Sequence, residues 1–454
     1  MWFFRAVAFD LDGTLASGGR LGEGVLAAIQ AARAQRLMVL VTGRILEDLE
    51  AAFPGLASRF DAVVAENGAV LSTRLGSRPL AAPVDPALAR ALAARGVATW
   101  SGRVLLALDG ADAGLAREVA AALGVDCRLV RNRGAAMILP AGVTKGSGLL
   151  AALEEFGLSA HNVIAVGDAE NDLALLQAAE VGVAVANAVP SLAAHADLRL
   201  GLPDGAGVAQ LLGGPLLSGT GRLCPPRRWV PIGNFADGEP ARLPGSQASV
   251  LVIGDAGSGA SHLAGLLAER WIDAGYAVLV LDPEGDHVGL AQRPGVHLVD
   301  AAAAHPTGPS DVLARMRTTR ASLVLDLSGL PDSDRTDHLR RLSAGVAAAR
   351  AGYGLPHWVI VDEAHLSLRW DGTGPGEPGV AEPGVCLVAR QPDTVPATVR
   401  EAVDVIIQVA EDRPSLRVDP LPGPRTTTQI RGGPPRAFTV ADRARRTPPS
   451  ARAP

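Results

Sequence analysis

The sequence predicts an α/β protein: a parallel sheet covered on both faces, interrupted by an α+β insert and followed by a second α/β domain. Three observations carry this expectation. Along the first half, short apolar runs alternate with helix-length stretches, the pattern of a parallel sheet with crossover helices. The alternation loosens between about 73 and 140. A Gly/Pro/Arg-rich interval at 213–246 then precedes a second alternating series. The chain has 454 residues, 48% hydrophobic and 20% charged, which is enough material for two or three domains. A net charge of −5 gives no general attraction to nucleic acid or to an anionic membrane.

Taken in order, RAVAFDLD reads as a buried strand and LGEGVLAAIQAARAQR as a helix with apolar residues at helical spacing. RLMVLVTGR, DAVVAENGAVL and HNVIAVGDAEND supply three further strands, so the core is expected to occupy 1–72 and 141–212. The insert, 73–140, offers short strands (GRVLLAL, DCRLV, AAMILP) and helices near 86–95 and 113–123. Residues 213–246 read as a linker and entry segment. The second domain, 247–412, runs through ASVLVIGDAG, YAVLVLDPEGD, ASLVLDLSG, HWVIVDEAH, GVCLVARQP and DVIIQVAE. The remainder, 413–454, sets nine arginines against Asp419 and Asp442 without periodicity and is expected to be a disordered, solvated tail. Cys127, Cys224 and Cys386 fall in no metal or redox spacing and fit buried thiols of a reducing cytoplasm. Asp10 and Asp12 interrupt any signal-peptide core, and no later stretch of about 18 uncharged apolar residues appears, so a cytoplasmic protein without a membrane partner is expected.

Four short segments carry chemistry. In FDLDGTLA, Asp10 and Asp12 close the first strand on the same side of its pleat, where ligands meet an open α/β sheet. Two such acids suit a nucleophile and a general acid/base, and they form a hard oxygen site for Mg²⁺. In VTGR, Thr42 offers a hydroxyl, while Gly43 and Arg44 present amides at a helix start, a seat for phosphate. VTKGSGL holds Lys145, the single lysine beside 41 arginines. A compact ammonium fits a narrow pocket where a guanidinium fork does not. In VGDAENDLALL, Asp168 ends a strand, and Asn171 and Asp172 open the next helix.

Occurring in order, each at a strand end, these segments resemble the motifs of haloacid dehalogenase (HAD) superfamily phosphatases. The resemblance covers residues 1–212. It implies a HAD Rossmann-like core with Asp10 as phosphorylated nucleophile, Asp12 as general acid/base, Thr42 and Lys145 as phosphoryl ligands, and Mg²⁺ held by Asp10, Asp168 and the Asp12 carbonyl. The insert lies between the second and third motifs, after AENGA, which resembles the Cof-like, type IIB members. Their C2-type α/β cap closes over sugar phosphates and other small phosphate esters. Arg103, Arg131 and Met137 are cap candidates for substrate contact.

The second domain carries GDAGSGASHLAG, a phosphate loop in which Gly254, Gly257, Gly259 and Ser261 stand as required. The position for the phosphate-bridging lysine holds Ala260. HWVIVDEAH resembles a Walker B strand, with Asp362 set for a metal and Glu363 for water. Residues 228–412 thus resemble a P-loop NTPase domain of HerA/FtsK-like ATPases. Losing the lysine removes charge stabilisation from the transition state, so Mg-nucleotide binding without turnover is expected. The leading reading is a Mg²⁺-dependent phosphatase for a small phosphorylated substrate, fused to a degenerate nucleotide-binding module. The alternatives are an ATP-driven motor with an accessory phosphatase half, and a scaffold in which neither site turns over.

Overall fold

The computed structural model describes residues 3–132, 134–303, 308–364, 382–409, 414–418 and 436–441. The chain divides into two units, Met1–Gly221 and Arg222–Pro454.

In the first unit, eight strands form one sheet in the order Leu198–Arg199, Val181–Ala184, Val163–Gly167, Ala6–Phe9, Leu37–Val41, Ala62–Ala65, Val70–Thr73, Gly76–Pro79. The strands from Leu198–Arg199 to Ala62–Ala65 run parallel. Ala6–Phe9 and Val163–Gly167 are buried along their whole length, as a sheet covered on both faces requires. The last two strands are an antiparallel hairpin, so residues 73–79 belong to the core sheet and not to the insert. GSRP is exposed at every position, and an edge strand of that kind has no apolar alternation to announce it.

The insert proper forms an antiparallel four-stranded sheet in the order Cys127–Asn132, Ala135–Pro140, Leu106–Asp109, Thr99–Ser101. Helices Pro86–Ala93 and Ala113–Ala122 bury Leu88, Leu92, Ala116 and Val119 against Leu106, Leu108 and Ile138. Asp85 starts the first of these helices, its side chain accepting from the Ala87 amide ahead of a proline at the first turn.

The second unit is built on an eleven-stranded sheet. Its parallel part runs from Val405–Val409 through Ser249–Gly254, Val385–Ala389, Trp358–Val361, Val278–Asp282 and Ser322–Asp326 to Val296–Asp300. Successive residues of Ser249–Gly254 feed opposite cores, Val250 and Val252 one way, Leu251 and Ile253 the other. Trp271 and Trp358 stack at 3.7 Å, and each donates its indole N–H to a carbonyl of the entry loop, Pro244 and Gly245.

Two expectations change here. Val230–Phe235 and Pro240–Leu243 are strands of this sheet, so residues 230–243 belong to the second unit's fold and not to a linker. Pro414–Val418 and Arg436–Val440 also join it, bridging Val405–Val409 to Val230–Phe235. Their pairing comes from ladder partners far away in the chain, which a Pro/Arg/Thr-rich composition does not reveal. Residues 419–435 and 442–454 of the expected tail lie outside the described residues. No described helix is long and apolar enough to cross a membrane. Cys127, Cys224 and Cys386 are all free.

Candidate active site

Strands Val163–Gly167, Ala6–Phe9 and Leu37–Val41 are neighbours, so the residues that follow them, Asp168, Asp10 and Thr42, meet along one sheet edge. All three are buried. Lys145 is delivered to the same edge as the first residue of helix Lys145–Glu155. A reciprocal cap fixes that start: the Thr144 hydroxyl accepts from the Ser147 amide, and the Ser147 hydroxyl accepts from the Thr144 amide. Gly148 lets the helix come close, since a Cβ there would stand 2.5 Å from Val64 and 2.6 Å from the Gly68 backbone.

At 1% exposure, Lys145 donates from Nζ to Asp10 Oδ1 at 2.5 Å and to Asp172 Oδ1 at 2.6 Å. The second oxygen of Asp172 accepts the amides of Asp168 and Ala169, each at 3.0 Å. Thr14 donates its hydroxyl to Asp168 Oδ1. Oxygens of Asp10, Asp168 and Asp172 all lie within 4.8 Å of one another. Burial raises the Asp10 carboxyl well above the usual carboxylate range; the Asp172 charge adds to this and the Lys145 ammonium opposes it. Burial alone would depress Lys145, but Asp10 and Asp172 outweigh it and hold the ammonium above its ordinary value. One cation shared by a buried group of carboxylates leaves the site short of positive charge.

Asp12 turns elsewhere. Both of its oxygens accept from Arg44, Nε and Nη2 donating at 2.8 Å, and the guanidinium lies over Phe53. The carboxylate that joins Asp10 and Asp168 is therefore Asp172, not the side chain of Asp12. Thr42 accepts the Arg44 amide, and a Cβ on Gly43 would press on Asn67. Asn171 donates to Asn67 Oδ1 at 3.0 Å, and Asn67 donates to the sulfur of Met137 in the insert.

Sequence reasoning missed Glu66 and Asn67 as individual residues. Both are buried in left-handed backbone, at φ 52° and 53°. Glu66 accepts three amides of the insert, from Arg103, Val104 and Leu105, each at 2.9 Å. Polar residues between two apolar strands were the available signal, but the amides they serve lie 37 to 39 residues away.

Residues 7–87 and 116–212 match the family model described as haloacid dehalogenase-like hydrolase. The chain is 34% identical over 205 residues to a phosphoglycolate phosphatase of Halorubrum lacusprofundi, covering 42% of this chain and 88% of the relative. It is 34% identical over 214 residues to one from Methanothermobacter thermautotrophicus, covering 45% and 96%. The chain belongs to the haloacid dehalogenase-like hydrolases. As a member of that family it is a hydrolase in its first unit, the part that these phosphatase relatives match. A 41% identical match to phosphoglycolate phosphatase 2 of Saccharolobus solfataricus spans 24% of this chain and 46% of that relative. A haloacid dehalogenase-like hydrolase structure from B. subtilis aligns over 47% of this chain and all of its own, at 20% identity and a TM-score of 0.40.

The hydrolase's second unit places its loop between strand Ser249–Gly254 and helix Ala260–Asp273. Gly257 and Gly259 take φ of 79° and 93°, which the tight loop requires and side-chain-bearing residues resist. Ala260 opens the helix. Ser261 lies at the hydrogen-bonding limit, 3.5 Å, from Asp362 Oδ1. The other Asp362 oxygen is 2.7 Å from Nε2 of buried His287, a partner the sequence gave no reason to expect. Asp282 positions that histidine by accepting the amides of Gly285, Asp286 and His287. Glu363, at φ 46°, accepts Arg390 Nε on both oxygens. Residues 231–345 match the model described as helicase HerA, central domain, a span that includes the loop and ends before Asp362.

Proposed function

We propose that the first unit hydrolyses a small phosphate monoester in two steps, with Asp10 as nucleophile. The observation that carries this is Lys145 Nζ, buried and bonded to both Asp10 and Asp172 at the strand ends. Asp10 attacks phosphorus and the ester oxygen leaves, giving an aspartyl-phosphate; water then cleaves it and returns Asp10 as a carboxylate. Asp12 gives its proton to the leaving oxygen and takes one from the attacking water. To do so it exchanges one of its Arg44 contacts for substrate. Thr42 and the amides of Gly43 and Arg44 hold phosphoryl oxygens, while Lys145 offsets their charge. Asn171 and Asp172 support the site by fixing Asn67 and Lys145.

The donor set fits Mg²⁺. It is all oxygen, it is buried, and it has too little positive charge of its own. Asp10, Asp168 and the Asp12 carbonyl would hold the ion, which when bound supplies Lewis-acid stabilisation of the phosphoryl group. The names of the relatives favour phosphoglycolate among small phosphate esters, with sugar phosphates as the neighbouring class. The free cysteines fit a cytoplasmic enzyme.

The test is phosphate release from 2-phosphoglycolate and a sugar-phosphate panel, before and after chelation. Activity should vanish with chelator, return with Mg²⁺, and fall roughly 10³-fold or more in Asp10→Asn. Wild-type rates in Asp10→Asn overturn the assignment.

For the second unit the reading is nucleotide binding with background turnover, because Ala260 replaces the lysine and Glu363 is occupied by Arg390. The HerA match favours the alternative, an ATP-driven motor. Brisk ATP hydrolysis that disappears in Glu363→Gln would establish that alternative.

A further inference from the structure

The second unit's loop faces a cavity of about 340 Å³. At Gly257 and Gly259 nothing lies within 4 Å of where a Cβ would stand, so the loop presents bare backbone to open space. Among the described residues lining the cavity, Arg390 is the one arginine or lysine; His262 lines it too. Its place follows from topology. Strands Val385–Ala389 and Ser249–Gly254 are parallel neighbours with Ala389 paired to Ile253, so Arg390 leaves the sheet beside Gly254 as the loop begins.

The guanidinium is held at two edges. Nε donates to Glu363, and Nη2 donates to Glu284 at 3.2 Å. Arg390 Nη1 makes no hydrogen bond among the described residues. Arg390 is 43% exposed and Glu284 47%, whereas Glu363 is only 11% exposed. An exposed ion pair exchanges partners at little cost; a buried one does not.

We propose that Arg390 serves as the phosphate-binding cation of this site in place of the missing lysine, and that the ligand is a nucleoside di- or triphosphate. This rests on the nucleotide-binding reading above and extends it to one residue. The phosphate chain lies in the loop's amides, takes Nη1, and displaces Glu284 from Nη2. Glu363 stays on Nε. A carboxylate kept as the counter-ion of an arginine is not free to orient water, so the contact that restores binding also withholds hydrolysis. Asp255, Glu284, Asp286 and Glu363 all line the cavity, so binding is weak and sensitive to salt.

The test is equilibrium titration of the full-length protein with a fluorescent N-methylanthraniloyl-ADP, with thermal melts to check folding. Arg390→Ala should weaken binding at least tenfold. Adding Ala260→Lys to that variant should restore it, since the cation then comes from the loop. Glu284→Gln should tighten binding by removing the competitor. If the wild type binds and Arg390→Ala binds within twofold of it, this assignment falls while the nucleotide-binding reading stands. If the wild type does not bind, both fall. A loss in Arg390→Ala that Ala260→Lys fails to rescue, or weaker binding in Glu284→Gln, also overturns it.

Discussion

Each unit of this hydrolase sets one cation between two carboxylates at the ends of parallel strands. In the first, Lys145 lies between Asp10 and Asp172 at 1% exposure. In the second, Arg390 lies between Glu363 and Glu284 at 43% exposure. The charges are alike and the surroundings are not. A buried ammonium with two carboxylates is locked, because separating any member strands a charge in low dielectric. A half-exposed guanidinium can trade a carboxylate for a ligand, because water covers the difference. Burial therefore separates a site that fixes its cation from one that can lend it.

The sharpest test of that contrast is Lys145→Met, which leaves Asp10 and Asp172 facing each other without a cation. Breaking a buried pair in this way costs about 3–5 kcal/mol, and denaturant unfolding of the first unit should show a loss of that order. Lys145→Arg should remain folded and lose most phosphatase activity, because the planar fork does not fit a pocket shaped for an ammonium. A Lys145→Met protein as stable as wild type would break the comparison.

A smaller effect is expected at Glu66, where three amides of the insert converge on one carboxylate. Glu66→Gln keeps one accepting oxygen and turns the other end into a donor facing amides, a mismatch worth about 1–3 kcal/mol. Hydrogen exchange should report faster opening at residues 103–105 while the amides of the core strands keep their protection. At Arg44, half-way between the two extremes with side-chain exposures of 31% and 27% for the pair, Arg44→Gln should change stability by less than about 1 kcal/mol. Its effect belongs in the rate, since Asp12 loses the partner that orients it. The smallest expected change is from ending the chain after Gly221: phosphate release should stay within about twofold of the full protein, since every residue assigned to the reaction lies in the first unit. A large fall there would mean that the units are functionally joined.

Much of the first unit was legible because its signals are local. Strand runs, helix spacing and residues at strand ends can be read within a dozen positions, and Asp10, Thr42, Lys145 and Asp168 all announce themselves that way. What escaped depends on partners distant in sequence. The Arg44 contact with Asp12, the Glu66 latch and the His287 contact with Asp362 span 32, 37 to 39, and 75 residues. The edge strand at 76–79 and the strands at 414–418 and 436–440 escaped for another reason. Their order comes from ladder bonds to neighbours, and their own composition is that of turns and tails.

The way the second sheet is stitched has a consequence for how the protein is made. Hairpin Val230–Leu243 has its only ladder link to the parallel strands through Arg436–Val440 and Pro414–Val418, among the described residues. During synthesis that hairpin emerges roughly 190 residues ahead of its ladder partner Arg436–Val440. At about 5–20 residues per second the interval is roughly 10–40 s. Throughout it, the hairpin and strand Val405–Val409, once made, each carry an open edge able to pair with a neighbouring nascent chain. Slow codons placed before residue 414 would lengthen this exposure, and a ribosome stalled there would hold a sheet that cannot close.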